Sequence, residues 1–377
     1  MFKKSLAVSC AVAAVLGGLA AKTALAASLP APTVDGKIFA DLTNLDQTNN
    51  GTKTANSGTG VDVKRFYLVF GETFNDVWSA KIVTDATFNS IKASTCSGTG
   101  ATTTCSTATN NLQANLYIKN AFIQATLSKA FWARLGDANM PWIPFDEGLY
   151  GYRYVENTLI DRLHFGNSAD WGLHVGGRLD DGMVSYRVSA VNGNGYKNYN
   201  RSKDMDVEGR LTYRPIDGLT LALGGYSGKL GHDTYGATTY HTANRVDAIA
   251  AYVNHGVRVG VEYFSANDWN NVTSVTSDKA DGTSAWASYN FTPVWAVFGR
   301  WDQAKLSKDL SPGLKDNYFN LGVQMQPTTN VDVALVYKHE KMDGGLSTGS
   351  FATTNGSAFN EFDGKYDEVG IWGQVAF

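Results

Sequence analysis

The chain has 377 residues, with 32 Lys and Arg against 35 Asp and Glu, 39 Gly, only 8 Pro, and 18 Tyr, 18 Phe and 9 Trp. A slightly acidic balance leaves no basic footprint for nucleic acid. No apolar run is long enough for a spanning helix, so any membrane role falls to strands, and the length fits two soluble domains or one large barrel.

Residues 1–26 open with Lys3 and Lys4, continue through an apolar run from Leu6 to Ala21, and end on Ala24-Leu25-Ala26, a small-x-small cleavage pattern. They read as a secretory signal peptide. Its removal takes away Cys10, Lys3, Lys4 and Lys22, leaving 29 basic residues against 35 acidic and a net charge near −6. The remainder, 27–377, reads as a single domain. Cys96 and Cys105 lie in a Thr/Ser/Gly-rich segment with no nearby His or acidic ligand. In an exported chain that spacing points to one local disulfide, and a zinc site would need more ligands. No cofactor is called for.

From Asp35 onward, pairs of alternating runs of about ten residues are joined by short turns and separated by longer polar segments. The short joints are Phe74-Asn75-Asp76, Ser128-Lys129, Asp180-Asp181-Gly182, Ile216-Asp217-Gly218, His255-Gly256, Thr292-Pro293 and Thr328-Thr329-Asn330, all with tight-hairpin chemistry. The long segments fall near 46–60, 89–112, 138–168, 194–204, 231–241, 269–281, 307–315 and 343–363. Seven turns and eight loops make sixteen strands, an even count with both termini on the short-turn side, so the sheet can close without an unpaired edge in lipid. The expected fold is all-β: a transmembrane antiparallel β-barrel.

Segment 138–168 keeps no strand period. It holds Pro141, Trp142, Pro144, Phe145, Tyr150, Tyr152 and Tyr154 among Asp146, Glu147, Arg153, Glu156, Asp161 and Arg162. So many rings and prolines ask for packing, which predicts that this third loop folds into the barrel and narrows a water-filled channel.

Alternation assigns faces. On 331–338, Val331, Val333, Leu335 and Tyr337 oppose Asp332, Ala334, Val336 and Lys338; on 206–214, Val207, Gly209, Leu211 and Tyr213 oppose Asp206, Glu208, Arg210, Thr212 and Arg214. One face suits lipid and the other water; a soluble sandwich would reverse the reading. Extended over the chain, the wall of the pore receives Arg65, Lys81, Arg134, Arg178, Arg187, Arg210, Arg214, Arg245, Arg258, Arg300 and Lys338, against Asp85, Asp206, Glu208, Asp247, Glu262, Asp302 and Asp332. A basic wall would then oppose the acidic third loop. Alternatively these charges pair across strands, as Asp206 with Arg245 or Asp247 with Arg258. Trp78, Tyr186, Tyr213, Tyr263, Trp295 and Trp301 are candidates for interfacial aromatic girdles.

The last run alternates Val369, Ile371, Gly373, Val375 and Phe377 outward and ends on that aromatic carboxy terminus. In this it resembles the Gram-negative outer-membrane porins, with Gly373 where a bulkier residue is common. Arg134-Leu135-Gly136 followed by Pro141-Trp142 is loosely similar to the sixteen-stranded phosphate-selective porins. The third loop has no lysine from Ala138 to Ser168, so that selectivity is not carried over. The resemblance implies a constriction at Asp146, Glu147, Arg153 and Glu156, a homotrimer, outer-membrane lipid as surroundings, and recognition by the barrel-assembly machinery through Phe377. It implies passive diffusion of small hydrophilic solutes and ions. A solute-specific channel for an anion or sugar, or a barrel serving as adhesin or anchor, are the alternatives.

Enzyme signals are thin. Asp146 and Glu147 are adjacent, which on an extended backbone sends them opposite ways. His164 and His174 lack a serine in a nucleophile motif, and Gly193-Asn194-Gly195 lacks a phosphate-cradle context. Partial cancellation between wall and loop predicts a weak anion preference, since unit charges about 10 Å apart in water interact by only about 0.4 kcal/mol.

Overall fold

The computed structural model describes residues 31–91, 94–97, 104–107, 111–345 and 363–377. The signal-peptide reading of 1–26 lies outside them. Among the described residues sixteen long strands form the barrel: β1 Thr33–Asn49, β2 Gly58–Thr73, β3 Trp78–Ile91, β4 Asn111–Ser128, β5 Phe131–Asn139, β6 Ala169–Leu179, β7 Val184–Val191 and β8 Asp206–Tyr213. They continue as β9 Leu219–Gly228, β10 Ala243–Asn254, β11 Val257–Asn267, β12 Lys279–Asn290, β13 Trp295–Lys305, β14 Lys315–Thr328, β15 Val331–Asp343 and β16 Gly364–Ala376. Each pairs antiparallel with its sequence neighbours, and β1 also pairs with β16, from Lys37 opposite Ala376 to Asn49 opposite Gly364. That pairing closes the barrel and removes its edges. The closure is finished by Gly36 and Phe377, which exchange backbone hydrogen bonds of 2.7 and 3.0 Å. A side chain at position 36 would strike the Phe377 ring.

Turn chemistry explains the short joints. His255 (φ 50°) and Gly256 (φ 75°) give the two consecutive left-handed residues that match the twist of a two-residue hairpin. The Asn75 Oδ1 accepts from the Val77 and Trp78 amides at 2.9 Å each, and Thr292 Oγ1 accepts from Trp295 at 2.9 Å. Off the barrel, Ser94–Ser97 pairs with Thr104–Thr107, and this register sets Cys96 opposite Cys105.

The two faces differ as the alternation requires. On β8, Val207, Leu211 and Tyr213 are exposed while Asp206, Glu208 and Thr212 are buried; on β15, Leu335 is 61% exposed while Asp332, Ala334, Val336 and Lys338 are buried. On β16, Val369, Ile371, Val375 and Phe377 point out and Tyr366, Glu368 and Trp372 point in. Of the girdle candidates, Tyr213, Tyr263, Trp295 and Trp301 are exposed outside. Trp78 and Tyr186 are half-buried, the Tyr186 hydroxyl donating to the Ala130 carbonyl at 2.9 Å. Among the described residues no helix is long and apolar enough to cross a membrane. The apolar cluster joins Trp142, Ile143, Tyr150, Leu159, Ile160 and Phe165 to inward-facing rings such as Phe264, Trp286, Phe298 and Trp372.

Candidate pore lining

Between β5 and β6 the chain leaves the sheet, and the Met140 amide donates to the Ser168 carbonyl at 3.0 Å to close the base of this third loop. The loop contains α1 (Ile143–Tyr150) and a single turn, α2 (Leu159–Arg162). Pro144 occupies the first turn of α1, where its missing N–H costs nothing, and Gly151 ends it in a left-handed conformation, φ 83°. The α1 carbonyls of Gly148 and Leu149 accept from the Arg258 guanidinium, a cation placed at the negative end of the helix. A Cβ on Gly151 would meet that guanidinium at 2.8 Å.

The inward side chains of β8–β15 hold the loop. The Trp142 backbone and indole N–H groups donate to Glu208 and Glu262, both at 2.8 Å, and the indole lies over Gly224, where a Cβ would come within 2.5 Å. Tyr152 stacks on Phe298 with centroids 4.0 Å apart and planes at 18°, and Phe165 packs on Phe264 at 4.8 Å. Arg162, 1% exposed, bonds Asp302 at 3.2 Å, Glu340 at 2.5 Å, and Asp316. Glu156 bonds Lys338 at 3.2 Å. A guanidinium ringed by three carboxylates joins one turn of the loop to β13, β14 and β15, and its desolvation is offset only because every donor direction is used.

On its other side the loop presents Glu147, Arg153 and Asp161. Each keeps 17% of its side chain exposed, and Arg153 bonds Glu147 at 2.5 Å and lies 3.6 Å from Asp161. Arg153 is within electrostatic reach of Arg65, Tyr67 and Lys119 on β2 and β4. There Arg65 faces Asp85 at 3.4 Å, Lys119 reaches the Tyr67 hydroxyl at 3.3 Å, and Lys197 lies 4.5 Å over the Tyr117 ring.

The four residues expected at the constriction therefore divide. Glu147 and Arg153 stay water-accessible, whereas Asp146 (1% exposed) and Glu156 (4%) are buried between loop and wall, which removes them from a water-filled gap. Asp146 sits beside Glu262, and burial pushes its carboxyl up to about 7. The wall arginines divide too. Arg245 pairs with Asp247 at 2.7 Å and Glu208 at 3.2 Å, and Arg300 with Asp302 at 2.5 Å; both are buried behind the loop. Arg258 caps α1. These three, expected along the open wall, are structural because the loop covers them. Neither cross-strand pair anticipated above forms: Asp206 accepts from the Tyr226 hydroxyl and the Lys229 and Leu230 amides, while Arg258 serves the loop carbonyls. Arg134, Arg178, Arg187 and Arg214 lie on the inner face of β5–β8, where Arg210 lies 3.8 Å over the Phe145 ring of the loop and donates to the Pro141 carbonyl.

Lys119, Tyr117, Tyr196, Lys197 and the anchoring Arg162 are further inward-facing residues that no motif marks. For the first two the signal was present, since exposed Leu116 and Ile118 on β4 fix Tyr117 and Lys119 as inward. His174 shares a 2.8 Å contact with the Ser189 hydroxyl, both 2% exposed and closed off from solute, while the His164 amide donates to the Asp161 carbonyl at 3.3 Å.

A closed barrel of sixteen antiparallel strands, with apolar residues outside and charged ones within, is the fold of the outer-membrane porins of Gram-negative bacteria. No family model matches the sequence, and no curated protein matches it either. Among solved structures the chain is similar to an anion-selective porin from Comamonas acidovorans, with TM-score 0.61 and 11% identity over 92% of this chain and 99% of that one. It is similar to the outer-membrane channel DcaP of Acinetobacter baumannii, with TM-score 0.58 and 11% identity over 92% and 97%. The trimer form of OmpT, an outer-membrane protein of Vibrio cholerae, gives TM-score 0.56 and 12% identity over 92% and 100%. At these identities the likeness is one of fold.

Proposed function

We propose that this chain is an outer-membrane channel for passive diffusion of small hydrophilic solutes and ions, narrowed by its third loop, and that it carries out no catalysis. The passage runs between Glu147, Arg153 and Asp161 on the loop and Arg65, Lys119, Tyr67, Tyr117 and Lys197 on the opposing side. The observation that carries this reading is the contrast of faces on a closed barrel, with Leu211 and Leu335 outside and a charged, hydrogen-bonded lining inside. By analogy with the trimer form of OmpT we further propose a homotrimer, and from the terminal aromatic residue, recognition of Phe377 by the barrel-assembly machinery.

Liposome swelling with sugars of graded size tests the proposal. Uptake that falls smoothly with solute size is the expected result. One strongly favoured sugar would replace the diffusion pore with a sugar-specific channel, and no uptake of any solute would reject the channel and leave an adhesin or anchor.

A further inference from the structure

The Gly193-Asn194-Gly195 run, which has no phosphate-cradle context, belongs to a cavity of another kind. At the long-loop mouth of the barrel, residues within 164–167, 193–198, 230–232 and 269–273, from the third to the sixth long loops, enclose about 530 Å³, within the range of small-molecule sites. Its walls are tied to one another. The Trp269 indole N–H donates to the His164 carbonyl at 2.9 Å, the Asn200 side-chain amide to the Gly231 carbonyl at 2.8 Å, and the Tyr240 amide to the Val272 carbonyl at 2.8 Å. These bonds join the third loop to the sixth, the fourth to the fifth and the fifth to the sixth, so the cavity is formed before any solute arrives.

The polar lining is free to bind. Asn167, Asn194, Asn198 and Asn270 come from three loops, and none of their side-chain amides has a hydrogen-bond partner among the described residues. No carboxylate, lysine or arginine among the described residues lines the space. Two of the amides are seated by glycine: a Cβ on Gly195 (φ 71°) would come within 2.9 Å of the Asn167 side chain, and one on Gly231 (φ 68°) within 2.6 Å of Asn194. Left-handed turns that glycine enters at no steric cost thus let the neighbouring loops close on these side chains. Trp269, Val272 and Leu230 supply an apolar wall beside them.

An asparagine amide both donates and accepts, as a hydroxyl does, so four such groups around one space match a solute rich in hydroxyls. An ion entering here gives up hydration with no opposite charge in the lining to replace it. A sugar ring has hydroxyl edges for the amides and C–H faces for the apolar wall. We infer that this cavity is a binding site for a neutral saccharide of one or two rings, held by Asn167, Asn194, Asn198 and Asn270 at the long-loop mouth. Affinity is modest, because each hydrogen bond to the sugar replaces one to water. The inference does not rest on the channel reading, since the loops build the cavity whether or not the barrel conducts.

The test is saturation-transfer NMR with glucose, sucrose, maltose and glucuronate, each titrated into the purified barrel in a detergent without a sugar headgroup, alongside KCl conductance in planar bilayers. Wild type is expected to bind at least one of the three neutral sugars saturably. The double variant Asn167→Ala/Asn270→Ala is expected to bind it at least about fivefold more weakly, through the loss of two hydrogen-bonding groups. Asn290→Ala, which removes an amide at the short-turn mouth, is expected to bind as wild type. Folding of each variant is checked by heat-modifiable mobility on gels, and Asn198→Ala, at an exposed side chain, serves as a second weakened variant. Absence of saturable binding of all three neutral sugars by folded wild type, equal binding by all the variants, or tighter binding of glucuronate than of glucose overturns the inference. A barrel that conducts KCl without binding sugar leaves the channel standing and removes the site; one that binds sugar but does not conduct does the reverse.

Discussion

Arg162 shows how one side chain fixes the loop. It is enclosed by Asp302, Asp316 and Glu340, so Arg162→Met strips Asp316 of its cation and removes one bond each from Glu340 and from Asp302, which keeps Arg300, a loss of about 3–5 kcal/mol when one partner of a buried cluster is removed. The variant is expected to release the loop from β13–β15, seen as faster tryptic cleavage after Arg153; wild-type protection would show that the ion cluster is dispensable. Asp146 behaves in the opposite sense. Its carboxyl is held up to about 7 from an ordinary 3.8 by burial, so the docked loop holds a proton more tightly than the free loop. Docking is then strongest below about pH 4 and weakens as pH rises through 7. Cleavage at Arg153, taken relative to trypsin's rate on a short peptide substrate at the same pH, is expected to be faster at pH 8 than at pH 5, and Asp146→Asn is expected to reduce that difference. A pH effect that persists unchanged in the Asn variant would assign it elsewhere. Nothing in the local sequence distinguishes Asp146 from Glu147: the partners that bury one and leave the other wet, Trp142 with Glu262 and Arg153 with Asp161, are set by tertiary contacts.

Strands were the most legible elements, because a period of two turns every apolar residue of a run to the same side and a slip of one would invert it. Leu335 and Leu211, 61% and 54% exposed, carry that reading. Arg at either position is expected to destabilise the barrel by about 2–4 kcal/mol if it lies near the bilayer midplane. Thr212, an inward position, is fully buried beside Arg210, so the informative control is Gln374, whose amide donates to Asp332 and where Arg gains a carboxylate partner. Equal urea midpoints for Leu335→Arg, Leu211→Arg and Gln374→Arg would show the faces to be misassigned. The third loop was legible as a packed element from its rings and prolines. Which charges it would bury was not, because Lys338 and Glu340 meet it from far along the chain. In the second loop, the small hairpin brings the Cys96 and Cys105 backbones opposite each other. Mass spectrometry of unreduced peptides is expected to find them joined, and two free thiols would contradict this.

For the whole molecule, closure of β1 on β16 gives the sheet no edge, while the charges within are grouped: Arg162, Arg245 and Arg300 with their carboxylates behind the loop, arginines without a salt-bridge partner among the described residues on β5–β8, and Arg153 of the loop within electrostatic reach of Lys119. Counting basic and acidic wall residues blurs this division, since Arg245 and Arg187 count alike although one is neutralised and covered and the other is neither. Solute is proposed to pass beside Glu147. The most direct measurement is the single-channel conductance of Glu147→Cys before and after addition of a bulky, anionic, thiol-specific methanethiosulfonate reagent, with the unsubstituted protein treated in parallel. A stepwise fall in conductance is expected for Glu147→Cys and none for the unsubstituted protein. Complete labelling at position 147 with unaltered conductance would place the passage elsewhere and contradict this proposal.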